Sequence, residues 1–152
     1  MRLEDSFTVR APADKVWAAL TDPATIGRCL PGIERIEATG ADAYRAAIRV
    51  ELGPIRTVFN VQVEIRDQAP PRRMTTVTRG EEGTRASVLS ADSTVELDER
   101  PDGTTAVRYA SEVAVVGRLG KFGLGVMRKK AEALGRTFAD NFRAWVEQAA
   151  AA

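Results

Sequence analysis

The spacing of hydrophobic and polar positions along the chain changes three times, and each change marks out a set of elements. In residues 3–10, Leu3, Phe7 and Val9 stand among polar neighbours such as Ser6 and predict a first strand. Pro12 then sets a helix start at which Asp14 complements the helix dipole, and Val16, Trp17 and Leu20 share one apolar face. Asp22-Pro23, an N-cap residue followed by proline at the first helical position, announces a second short helix that ends before Pro31-Gly32. From Ile33 to Val116 the period is two. Ile55, Thr57, Phe59, Val61, Val63 and Ile65 alternate with Arg56, Asn60, Gln62, Glu64 and Arg66, the pattern of a half-buried antiparallel strand. Tyr44, Ala46, Ile48, Val50 and Leu52 repeat it against Arg45, Arg49 and Glu51, and Gly53-Pro54 supplies the reversal between the two. Further strands are predicted at about 72–79, 84–98 and 104–116, separated by Glu81-Glu82-Gly83 and Arg100-Pro101-Asp102-Gly103.

The last thirty residues return to a helical period, with Leu124, Met127, Ala131, Leu134, Phe138, Phe142 and Trp145 on one stripe. Arg128, Lys129, Glu132, Arg136, Asp140, Arg143 and Glu147 fall on the outer face. A helix this long needs a surface to cover, and the concave side of a curved sheet is the one available. The prediction is α+β: a curved antiparallel sheet of about seven strands, two short helices after the first strand, and a long C-terminal helix that the sheet grips. No linker or repeat divides the chain, the alanines at 149–152 read as a frayed helix end, and residues 1–152 are read as one domain.

The inward face of that sheet mixes large residues (Phe59, Val61, Val63, Met74, Leu89, Val107, Tyr109, Val113) with small or hydroxylic ones (Thr76, Ala91, Ser93, Ser111). Small residues among large ones leave space, so the face reads either as a cavity for an apolar molecule or as an accommodation to sheet curvature. Composition narrows the chemistry. With no histidine and one cysteine among 152 residues, zinc sites, haem ligation, Ser-His-Asp triads and Cys-His pairs are excluded. Twenty-two basic residues against 21 acidic ones give a net charge of +1 and no drive toward nucleic acid. Two acids in the first five residues and the lack of any long apolar run predict a cytoplasmic protein with neither signal peptide nor membrane span.

Four glycines between Gly117 and Gly125 match neither phosphate-binding loop, since Phe122 follows Lys121 where a hydroxyl residue is needed. The segment reads either as a mobile gate hinged at Gly120, Gly123 and Gly125, with Leu119, Phe122 and Leu124 as its plug, or as a tight turn. Cys29 lacks an activating histidine and reads as a small buried residue. Asp92 and Glu112 with Tyr109 are the candidates for proton transfer, although most carboxylates of the strands should face solvent. Arg128-Lys129-Lys130, with Arg72-Arg73 as a second basic pair, reads either as a solvated face or as a contact for an anionic membrane surface or acidic partner.

Phe7-Thr8-Val9 with Ala11-Pro12-Ala13-Asp14-Lys15-Val16-Trp17, then Leu20-Thr21-Asp22-Pro23 and Cys29-Leu30-Pro31-Gly32-Ile33-Glu34, resembles the CoxG-like family of carbon monoxide dehydrogenase subunits. That family lies within the START/birch-pollen-allergen (SRPBCC, polyketide cyclase-like) superfamily. The glycine segment and the helix through Phe138 and Phe142 are similar to its C-terminal pattern, so the likeness spans nearly the whole chain. The resemblance implies a helix-grip fold around a hydrophobic cavity. It also implies an accessory role beside a molybdenum-containing CO dehydrogenase or related hydroxylase, with peripheral membrane contact and a bound quinone or lipid in place of a permanent cofactor. Larger members carry a C-terminal membrane-associating extension, whereas this chain stops at Ala152. The expected lining is Leu30, Phe59, Val61, Val63, Met74, Leu89, Ser93, Val107, Tyr109, Ser111, Phe122, Val126, Met127, Leu134 and Phe138. Three roles follow: a non-enzymatic carrier of an apolar molecule, a cyclase or dehydratase using a carboxylate and Tyr109, and an adaptor with a filled interior.

Overall fold

A computed structural model describes residues 1–83 and 85–151. Thr84, where the strand expected at 84–98 begins, and Ala152, the last of the terminal alanines, lie outside the described residues. The elements are β1 (Arg2–Val9), α1 (Ala13–Leu20), α2 (Pro23–Cys29), β2 (Ile33–Gly40), β3 (Ala43–Leu52), β4 (Ile55–Ala69), β5 (Arg73–Glu82), β6 (Ser87–Glu99), β7 (Thr105–Gly117), a 3-10 turn (Arg118–Phe122) and α3 (Leu124–Ala151). The Asp22 carboxylate caps α2, accepting from the Ala24 amide at 3.3 Å and the Thr25 hydroxyl at 2.8 Å.

Seven strands form one antiparallel sheet in the order β1-β7-β6-β5-β4-β3-β2. Hairpins join β2 through β7 in sequence, and β1 pairs with β7 after the chain has crossed the sheet through α1 and α2. Cross-strand register puts Ile65, Thr76, Ser93, Ser111 and Leu3 in one concave row, and Ala46, Val61, Gly80, Leu89 and Val115 in another. Between them run the convex rows, one of which joins Glu64, Val77, Asp92, Glu112 and Arg2.

Two apolar clusters occupy the concave side. The first joins Val9, Val16, Cys29, Leu97, Val107, Phe142 and Val146, with Phe142 fully buried. Phe7 meets Phe142 edge-on at 6.1 Å and Phe138 stacks on it at 5.5 Å, each pair adding about 0.5–1.5 kcal/mol to simple burial. The second joins Ala46, Leu52, Phe59, Val61 and Leu119, with Leu89, Phe122 and Met127 packed against it. α3 is fastened to the β1 end of the sheet at three points. Arg128 donates to the Arg2 carbonyl at 2.7 Å, Arg143 donates to the Thr8 carbonyl at 2.9 Å, and Glu147 accepts from the Arg10 amide at 2.8 Å.

Three expectations about the elements need correction. Glu81 and Glu82 are not turn residues but the end of β5, because the Glu82 side chain turns inward and is neutralised there. Leu124 and Trp145 do not share the buried stripe: the first turn of α3 overhangs the sheet and leaves Leu124 61 % exposed, while Trp145 lies at the stripe's edge under the Arg28 guanidinium, 4.6 Å from the ring centre. Glu147, expected in solvent, is instead held by Arg10.

Candidate functional site

Between α3 and the middle of the sheet lies a cavity of about 420 Å³. Its space follows from side-chain size. Where α3 crosses the sheet centre it presents Ala131 and Gly135, and the strands below present Thr76, Thr78, Ser93 and Ser111. Leu30, Val63, Met74 and Val107, all expected in the lining, form its walls together with Phe138. Leu3, Phe7, Leu20, Ile26, Ile65 and Val95 complete the apolar surface. Sequence reasoning misses these six, although strand alternation places Ile65 with Val63 and Leu3 with Phe7.

The polar groups inside are neutral hydroxyls. Ser93 and Ser111 satisfy each other at 2.7 Å. Tyr109, expected in the lining, and Tyr44, absent from that expectation, both border the space, and burial pushes both phenols up, for Tyr109 with the help of the nearby Asp5 and Glu132 charges. Both therefore remain O–H donors at neutral pH. Gly135 makes room for Tyr109, since a Cβ there would stand 2.8 Å from the phenol oxygen. Charges are confined to the rim, where Glu4, Asp5, Arg128 and Glu132 mark the seam between β1 and α3.

Several expected site residues lie elsewhere. Phe59, Val61, Leu89, Phe122 and Met127 belong to the second cluster, beneath the 3-10 turn, rather than to the cavity lining. Val126 is 45 % exposed on the overhanging first turn of α3, and Leu134 is half-buried outside the lining. Asp92 and Glu112 sit on the convex face, Glu112 paired with Arg2 at 3.0 Å, so neither reaches the cavity. Cys29 is buried and desolvation pushes its thiol up, the opposite of an activated nucleophile.

The glycine segment is anchored. Glu82, fully buried, accepts from the Arg118 guanidinium at 3.0 Å and from the Ser87 hydroxyl, and Ser87 in turn accepts from the Leu119 amide at 3.0 Å. Arg118 holds the Glu82 carboxyl down to about 2, against the opposing effect of burial. Gly117, at φ +101°, lets the chain pass so close that a Cβ would lie 2.1 Å from the Ala86 carbonyl oxygen. Of the three expected hinge residues, Gly120 is pressed against the Val115 carbonyl, Gly123 turns the chain into α3 at φ +87°, and Gly125 faces open space. Residues 118–122 thus form a pinned plug over the second cluster, and loose backbone begins only at Gly123.

A curved antiparallel sheet wrapped on one long C-terminal helix, with a cavity between them, defines a helix-grip protein of the START/SRPBCC class. Solved structures agree. The chain is similar to a conserved protein from Geobacillus kaustophilus (TM-score 0.89, 21 % identity, 97 % of this chain and 96 % of that one). It is also similar to a START superfamily protein from Mycobacterium smegmatis (0.74, 15 %, 97 % and 97 %) and to the Zhui aromatase/cyclase from Streptomyces (0.71, 15 %, 97 % and 94 %). No curated protein matches the chain in sequence. The family model for the carbon monoxide dehydrogenase component CoxG matches residues 6–147, and the chain belongs to that family. Among the described residues, no helix is long and apolar enough to cross a membrane.

Proposed function

We propose that the chain binds and carries a neutral apolar molecule of the quinone class, and that it serves a molybdenum-containing CO dehydrogenase or related hydroxylase. The observation that carries this reading is the cavity's division of chemistry: apolar walls, neutral hydroxyl donors inside and charge only at the rim. Carbonyl oxygens on a flat ring accept hydrogen bonds from Tyr44 and Tyr109 while the ring face packs on Val63, Val107 and Phe138. A carboxylate-headed lipid suits this interior less well, because no cation inside the apolar part would offset its desolvation. At roughly 30 Å³ per water-sized group, the volume takes on the order of fourteen such groups, a substituted ring and the beginning of a tail. The remainder of a long tail leaves through the rim between β1 and α3.

Carriage rather than conversion is the reading favoured by the placement of Asp92 and Glu112 on the convex face, which leaves Tyr109 without the carboxylates expected to work with it. The exposed Leu124 and Val126, followed by Arg128, Lys129 and Lys130, support peripheral contact with the inner membrane face during loading. Organic-solvent extraction of the purified protein followed by mass spectrometry tests the proposal. A stoichiometric quinone is expected. A chain that yields no apolar ligand, and that fails to bind a short-tailed quinone at micromolar concentration, is not this carrier.

A further inference from the structure

The larger depression of the molecule is on the other side of the sheet. A groove of about 810 Å³ crosses the convex face from β2 to the β5–β6 hairpin. Its floor and walls carry Arg35, Arg45, Asn60, Gln62 and Arg79, which alternate in sequence with residues turned toward the interior such as Ala46, Val61 and Gly80. Two of its guanidinium groups are already neutralised: Arg45 bonds Glu37, and Arg85 bonds Glu81 at 3.2 Å. Arg35 and Arg79 have no carboxylate within ion-pair distance among the described residues, and the exposed amides of Asn60 and Gln62 lie between them.

We propose that this groove docks an extended acidic segment of a protein partner. Spacing selects that occupant. Gln62 stands opposite both Arg45 and Arg79, while Arg35 pairs with Ala47, which pairs with Asn60 one row along. Arg35 and Arg79 are thus three strand spacings and one two-residue step apart, about 16 Å at 4.8 Å per strand and 3.4 Å per residue. A compact anion such as phosphate cannot meet both. An extended chain advancing about 3.3 Å per residue brings two carboxylates five positions apart to the two guanidinium groups, with its backbone amides over Asn60 and Gln62. The Arg128–Lys130 run, by contrast, lies on an exposed helix start with no groove beside it.

Fluorescence anisotropy of a labelled octapeptide carrying two glutamates five positions apart tests this. The groove lies on the face opposite the cavity, so the readout is independent of whether the chain carries a ligand. Binding that weakens with salt is expected, with R35E and R79E each weakening it about fivefold and K129E leaving it unchanged. Placing the two glutamates side by side should weaken it by a similar factor. Both arginines are exposed, so the variants fold. Absence of binding, equal binding by wild type and R79E, or an equal loss in K129E overturns the proposal. So does an oligonucleotide of equal charge that binds more tightly than the peptide through the same arginines.

Discussion

The two halves of α3 cover the same sheet and do opposite things. From Ala139 onward the helix delivers Phe142 and Val146 into a cluster closed by Val9, Val16 and Val107, and the interior is solid. Two turns earlier, Ala131 and Gly135 face a floor of threonines and serines, and the interior is hollow. Element type, periodicity and sheet partner are shared, so side-chain volume alone separates core from site. The solid half also carries the firm attachment to the β1 end of the sheet through Arg143 and Glu147, which leaves the hollow half with the single strap of Arg128 to Arg2. A binding site built this way draws its rigidity from a neighbouring core rather than from its own packing.

The largest expected effect lies in the solid half. Phe142→Ala should cost about 3–5 kcal/mol in urea denaturation, as cavity creation in a closed core does. A loss below about 1 kcal/mol would mean that this half is no better packed than the other. Next comes the pinned plug. Glu82→Gln should cost about 2 kcal/mol, less than a fully buried pair because Arg118 is nearly half exposed. Its pH signature has a definite sign. The folded carboxyl titrates near 2 and the ordinary value is 4.5, so its stabilisation is complete above about pH 4.5 and is lost as the pH falls toward 2. Acid denaturation curves of E82Q should therefore be flatter than wild type across that window.

A smaller and sharper contrast uses one substitution at two sites on α3. Ala139→Leu inserts volume into packed core and should destabilise by about 1–3 kcal/mol, whereas Ala131→Leu grows into the cavity and should change stability by less than about 0.5 kcal/mol. Equal losses at the two positions would remove the distinction between the halves.

Much of this arrangement can be read from the pattern of residues. Alternation in β3 and β4 identifies which side chains face inward, and Asp22-Pro23 and Pro31-Gly32 bracket α2 as predicted. Alternation carries no information, however, about where along a strand the helix crosses. Phe59 and Val61 share a face with Val63, yet the 3-10 turn covers the first two and the hollow half of α3 covers the third. Tyr44 belongs to the same inward series and is legible there, whereas the role of Gly135 depends on Tyr109, 26 residues earlier, reaching across to the helix. Glu82 resembles a turn residue in the string Glu-Glu-Gly because its partner, Arg118, is far away in sequence. The glycine-rich segment suggests mobility by composition, and a long-range ion pair pins it.

If the hollow half of α3 roofs a binding site, filling it must weaken a ligand without weakening the fold, and one titration addresses that directly. Wild type and Ala131→Leu, matched in stability by urea denaturation, are each titrated calorimetrically with a short-tailed quinone. One site at micromolar affinity is predicted in wild type, and at least about tenfold weaker binding in the variant, as expected when a methyl-rich side chain occupies ligand volume. Equal affinity in the two proteins, or binding by neither, would contradict the assignment of this cavity as the site.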